Sequence, residues 1–494
     1  MSVGTLIEFY FKLIICIAIT EEPKKEVCPD GSPDQNVFDI QQGVAIAFFI
    51  KYQDSQQDLA KVYHADLWGV REVKENRELV GGKYHWLDEN DISSTGWLDI
   101  EPKKPFYLLR SQSEELLGEY NKYHRIDEIY ITHIYGFKSH RDHFAIDFDK
   151  EQIVKRITEL VNQDKLDNSF SDKYDLGKWD WKKASTALKQ EIDLWRFLDL
   201  CAYRPFDNRF MFYSDYVMDR TRPDLRNHIF NKENLCLVCS RQIANNEYRH
   251  FWITDLVPND CLISNITKES NHNFPLYLYP TNTPTLFETE PTNSPNGRRP
   301  NLAPEFINKL SAKLGLEFFS DGKGDEKKTF GPEDIFNYIY AVFYSPQYRQ
   351  RYAEFLKIDF PRVPLTSDKE LFWELVKKGD RLVQLHLMKG TGKEISSYPV
   401  AGSNLVEQVK YDENKQQILI NSDQYFAGIP PQIWNFYIGG YQVCHKWLKD
   451  RKGRHLSYDD LEHYQQIISI LGESIAIMET IDIIINKYGG FPFS

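Results

Sequence analysis

Residues 203–215 read YRPFDNRFMFYSD, with five aromatics and two arginines in thirteen positions. Alternation places Phe206, Phe210 and Phe212 on one side of a strand and Arg209, Met211 and Tyr213 on the other. The phenylalanine side is expected to pack a core, and Arg209 to face a partner. Arg204 shares the phenylalanine parity, but Pro205 breaks the register and frees it. Shortly afterwards MDRTRPDLRNHIF (218–230) repeats the mixture of arginine and apolar residues.

This region is basic inside an acidic protein. The 494-residue chain has 60 lysines and arginines against 72 acids, a net charge of −12. That balance argues against indiscriminate coating of nucleic acid while leaving room for a local basic cleft. Between residues 196 and 250 nine basic residues face seven acids, and eight of the nine are arginines. Arginine's planar fork suits phosphate oxygens and guanine edges. Arg204, Arg209, Arg220, Arg222 and Arg241 are the main candidates for nucleic-acid contact, although some must pair with Asp207, Asp215, Asp219 and Asp224. A second basic run, HKWLKDRKGRH (445–455), adds Lys446, Arg451 and Arg454 at an expected helix end, where the helix dipole also favours cations.

Other candidate chemistry falls away on inspection. Cys236 and Cys239 form a CxxC, but they flank Leu-Val in a strand and lack a second close-spaced pair, so they read as buried structural thiols. Seven irregularly spaced cysteines fit a reducing compartment, and a cytoplasmic location is expected. His140–Arg141–Asp142 has the order of a kinase catalytic loop but lacks its Asn, Gly-rich loop and strand lysine. Lys138, His140 and Arg141 could instead touch a polyanion. Neither a cofactor-binding Gly-rich loop nor an Asn/Asp-Pro-Pro-aromatic loop occurs; IPPQIW (429–434) has only the prolines. Acid–acid–lysine nuclease clusters and phosphate-binding G-x-x-x-x-G-K-[ST] loops are missing too.

The organisation is α/β followed by mixed α+β. Leu6–Ile19 is apolar but carries Glu8 and Lys12 and is too short to span a bilayer, so it reads as buried strand. Val44–Ile50 is a second apolar run of the kind found inside an α/β sheet. Helices are expected over Glu151–Val161, within Trp181–Leu200, from Pro332 to Ser345, and after a Ser457 cap, where Leu461, Tyr464, Ile468, Leu471, Ile475 and Met478 recur at steps of three and four. Residues 281–304, rich in Thr, Asn and Pro, read as a mobile loop.

Six stretches carry a resemblance: NVFDIQQGVAIAFFIK (36–51), YHADLWGVREVKENREL (63–79), GWLDIEPKKPFYLL (96–109), GFKSHRDHFAIDFD (136–149), YRPFDNRFMFY (203–213) and IGGYQVCHKWLKDRKGRHLS (438–457). Together they resemble the single-chain type ISP restriction–modification enzymes, over the end of the methyltransferase domain and the specificity domain behind it. The resemblance implies that residues 1–112 are the far strands of a Rossmann-like adenine N6-methyltransferase sheet. Residues 113–494 would then be a target-recognition domain gripping duplex DNA, with phosphates held on both sides and a few base edges read in the major groove. S-adenosylmethionine, ATP and magnesium belong to the complete family enzyme, and no catalytic, cofactor or metal residue carries over to this chain. Three functional classes follow: a specificity portion working with a separately encoded methyltransferase/helicase–nuclease chain, an inactive remnant, or a self-sufficient methyltransferase.

Overall fold

The computed structural model describes residues 13–20, 28, 30, 32–38, 44–51, 59–103, 107–109, 113–162, 169–243, 247–264, 269–280, 297–390 and 392–493. Its contacts divide the chain into two units, Met1–Leu117 and Gly118–Ser494. Most of the segment read as a mobile loop, 281–296, lies outside the described residues, as does the start of the apolar N-terminal run.

The first unit is a mixed four-stranded sheet of β1 (Leu13–Thr20), β2 (Val44–Ile50), β3 (Lys61–Asp66) and β4 (Leu98–Ile100), in the order β2-β1-β3-β4. β1 runs parallel to β3 and antiparallel to β2. Ile14, Ile15, Cys16 and Ile17 are all buried, as a continuous apolar run in a central strand should be. Val44–Ile50 departs from expectation. It is an edge strand, and Ile46 and Phe48 are exposed, so its apolar character does not come from burial within the described residues. Helix α1 (Gly82–Glu89) is tied down by Lys83, whose ammonium is buried against Asp34 at 2.7 Å.

Two four-stranded sheets organise the second unit. Their strands are β5 (Ile134–Tyr135), β6 (Ile146–Asp147), β7 (Leu198–Arg204), β8 (Asp207–Phe212), β9 (Cys236–Cys239), β10 (Phe251–Thr254), β11 (Val257–Pro258) and β12 (His272–Pro275). One sheet has the order β11-β7-β8-β6 and the other β10-β9-β12-β5. The central strand β9 carries the CxxC, and both cysteines are fully buried, with burial pushing their thiol pKa values up. Such thiols are packing groups. No group of three His, Cys, Asp or Glu side chains is placed to hold a metal among the described residues.

The opening stretch is a hairpin rather than one strand. β7 and β8 pair antiparallel from Leu198↔Phe212 to Arg204↔Asp207, leaving Pro205–Phe206 as the turn. Phe206 takes φ 60°, a conformation that favours glycine and that a bulky residue rarely holds without support. The support is visible: its ring packs edge-on against Trp252 at 4.8 Å, and His463 Nε2 donates to its carbonyl at 2.8 Å. The expected division into a core side and a partner side fails as well. Met211 and Phe212 are both fully buried, so both faces of β8 are covered at its C-terminal end.

Helices complete the unit: α2 (Lys150–Val161), α3 (Trp181–Leu188), α4 (Pro332–Tyr344), α5 (Lys369–His386), α6 (Val443–Lys449) and α7 (Tyr458–Lys487). α2 buries Ile153, Ile157 and Leu160, the face its periodicity indicates. α4 starts with Pro332 in its first turn and stops at Ser345. Ser457 caps α7 through a reciprocal pair: its hydroxyl accepts from Asp460 N–H, and the Asp460 carboxylate accepts from Ser457 N–H. α4 and α5 touch backbone to backbone at Gly379, where a Cβ would lie 1.8 Å from the Asn337 carbonyl oxygen. No helix among the described residues is long and apolar enough to cross a membrane.

Candidate nucleic-acid interface

The candidate arginines fall into two settings. The first is a buried clamp on Asp207, whose side chain is fully buried. Arg209 donates to one Asp207 oxygen through Nη2 (2.7 Å) and Nε (3.1 Å), and Arg451 donates to the other at 2.9 Å. Asp450 accepts a further bond from Arg209 at 3.1 Å, and the Trp447 carbonyl accepts from Arg451. Phe148 lies beneath three guanidiniums, those of Arg209, Arg451 and Arg454, at 4.1, 4.5 and 4.7 Å. Arg454 also pairs with Asp149 at 3.0 Å.

Burial alone would push the Asp207 pKa up. The two guanidiniums outweigh it and hold the carboxyl below its ordinary value. The clamp therefore joins the hairpin of β7 and β8 to the end of α6. Arg209 and Arg451 were expected to face DNA; instead they are committed to this carboxylate, with side chains 13% and 8% exposed. The reason is a pairing across more than two hundred residues of sequence, which local charge does not reveal. Lys446, on α6, is partly buried.

The second setting is an exposed ridge, where the loop 136–142 meets the segment 219–222. Gly136 lets the loop approach closely, because a Cβ there would lie 2.7 Å from the backbone of Pro258, Asn259 and Asp260. Phe137 is driven fully into the core, with its N–H on Pro258 O and its carbonyl accepting from Asp260 N–H. Lys138 and Arg220 then exchange backbone hydrogen bonds, both 2.9 Å, which sets their side chains near one another. His140 stands at the tip at φ 55°.

Exposure distinguishes Arg220 and His140 from the clamp. The side chains of Arg220 and His140 are 58% and 62% exposed and share Asp219, each at 3.5 Å. Lys138 pairs with Asp260 at 2.9 Å. Arg222, at φ 57°, lies over the half-exposed ring of Tyr135 at 5.6 Å, and no carboxylate pairs with it among the described residues. Arg204 stacks on Tyr203 and donates to Asn259. Arg141 turns inward to the Val217 carbonyl and Trp179. Arg241, half-exposed, pairs with Asp359 at 2.9 Å.

The exposed pairs of Arg220 and His140 with Asp219 are weak enough to exchange for phosphate contacts, whereas the clamp cannot open without leaving buried charge. Of the eight candidate residues, the ridge thus brings together Arg220 and Arg222, with Arg204 anchored below. Tyr135 escaped sequence reading, since a two-residue strand carries no alternation to betray an exposed ring.

A family model described as the type ISP C-terminal specificity domain matches residues 128–480. No curated protein matches the chain. Among solved structures, the ATP-dependent type ISP restriction–modification enzyme LlaBIII bound to DNA has a TM-score of 0.66 at 20% identity, over 96% of this chain and 31% of that one. A nuclease-deletion mutant of the type ISP enzyme LlaGI, in complex with a DNA substrate mimic, gives 0.64 at 16% identity, over 97% and 37%. The DrdV–DNA complex gives 0.65 at 18% identity, over 96% and 47%. This chain spans less than half the length of each. With the family model covering most of its length, the chain belongs to the type ISP C-terminal specificity-domain family.

Proposed function

We propose that this chain recognises a specific sequence in duplex DNA, as the specificity portion of a type ISP-like restriction–modification system. The observation that carries this reading is the ridge of Lys138, His140, Arg220 and Arg222, exposed at His140 and Arg220, set in a chain whose family is one of specificity domains. Arg220 and Arg222 bind phosphates and fix the register, with Arg204 and Arg241 flanking them, while neighbouring side chains meet base edges. Selection of bound duplexes from a randomised pool tests it. Enrichment of one short site is expected, and a pool that stays random after repeated rounds contradicts it.

Residues 1–112 act as the far strands of a Rossmann-like methyltransferase sheet, completed by further polypeptide from a longer enzyme or a separately encoded chain. The exposed apolar residues of β2 favour this over a free-standing role, since such an edge is otherwise an aggregation site. S-adenosylmethionine, ATP and magnesium act on that other polypeptide. The residues described here supply DNA contact and no step of methyl transfer or cleavage. Mixing this chain with a type ISP methyltransferase segment should give site-specific adenine methylation, which neither gives alone.

A further inference from the structure

We propose that the second unit carries a pocket for a mononucleotide-sized phosphate ester, a flat heterocycle bearing one phosphate, with Arg349 as its anion anchor. A cavity of about 590 Å³ opens between residues 247–249, the helix Pro346–Arg351, the turn at 432–437 and the middle of α7. That volume is in the range of small-molecule sites.

Arg349 stands on one wall. Its Nε donates to the Phe343 carbonyl, and its guanidinium meets the Tyr344 hydroxyl and lies 4.6 Å from that ring. No carboxylate lies within ion-pair distance of it among the described residues. Asp482, the acid that feels its charge, is already engaged by the Ser345 hydroxyl and by Gln347 N–H at 3.0 Å. Burial pushes the Arg349 pKa down, and Arg249, on the same cavity and paired there with Glu247, adds to that pressure. A partly buried guanidinium without a counter-ion gains most from an incoming anion, and its fork suits phosphate.

The other walls define the rest of the ligand. Tyr437 offers aromatic surface, and Ile475 and Met478 an apolar floor. Inorganic phosphate alone would leave those walls unused, and an uncharged nucleoside would leave Arg349 unpaired. A nucleotide satisfies both. Two sources share this chemistry, a free mononucleotide and a single nucleotide turned out of a DNA strand.

Calorimetric titration of the full chain with AMP, GMP, CMP, TMP, adenosine and inorganic phosphate tests the pocket. At least one monophosphate should bind, with its nucleoside and phosphate at least tenfold weaker. Arg349→Gln should weaken binding tenfold or more. Met478→Trp, which fills the cavity from α7, should do the same with an unchanged melting temperature, separating loss of the site from loss of the fold. Displacement of the bound monophosphate by a duplex with one unpaired central nucleotide, but not by an intact duplex, assigns the DNA strand as source; no displacement by either assigns the free nucleotide. The proposal is overturned if no monophosphate and no unpaired nucleotide binds, or if binding survives both substitutions unchanged.

Discussion

The Asp207 clamp and the Lys138–Arg220 ridge are built from the same residue types, yet they serve opposite ends. At the clamp, two arginines surround one carboxylate from which water is excluded, and Phe148 closes the assembly from below. At the ridge, Arg220 and His140 hold Asp219 at 3.5 Å with most of their side chains in solvent. Burial decides the difference. A buried pair is expensive to break because one charge is left stranded, whereas an exposed pair contributes little and is screened by salt. Arginine density therefore accompanies either a buried pair or an exposed one, and the burial of the nearest acid tells them apart.

Breaking the clamp should cost the most. Asp207→Ala strands Arg209 and Arg451 in the interior and is expected to destabilise the chain by about 3–5 kcal/mol, read from urea unfolding. Replacing both Asp207 and Arg451 by apolar residues should recover part of that loss. Gly136→Ala comes next. Its Cβ would collide with the backbone at 258–260, and the strain should cost about 1–3 kcal/mol.

Acid provides a subtler probe of the clamp. The folded-state pKa of Asp207 is depressed, so its contribution is fully present above the unfolded value of about 3.9 and is lost as pH falls through the lower folded value. Stability followed below about pH 4 should fall less steeply in Asp207→Asn than in the parent chain. Equal slopes would remove Asp207 as the titrating anchor. The smallest effect on stability belongs to the ridge, where Arg220→Ala should change unfolding by less than about 0.5 kcal/mol.

The sequence was informative where the signals were local. Ser457 with Asp460 three residues on, followed by an apolar repeat, specifies α7. Pro332 sets the start of α4, and the spacing of Ile153, Ile157 and Leu160 defines the buried face of α2. It was misleading where tertiary contacts override local preference. Pro205 was read as a break in one strand, but Phe206 is held in a left-handed turn by Trp252 and His463, residues remote in sequence. Arg209 and Arg451 looked like surface cations because the geometry that joins them to Asp207 forms only on folding. Local charge singles out Arg220 and Arg222 alike, and only the fold separates them: Arg220 stands in solvent beside the close-packed Gly136 loop, whereas Arg222 is partly buried.

The most direct test is the salt dependence of specific DNA binding for the chain with Arg220 and Arg222 both replaced by alanine, measured beside its unfolding curve. Each lost phosphate contact lowers the slope of log K against log[salt] by about 0.9, so the double variant should fall by about 1.8 while the unfolding midpoint stays in place. An unchanged slope in a folded protein would contradict the account and place the DNA-contacting surface elsewhere.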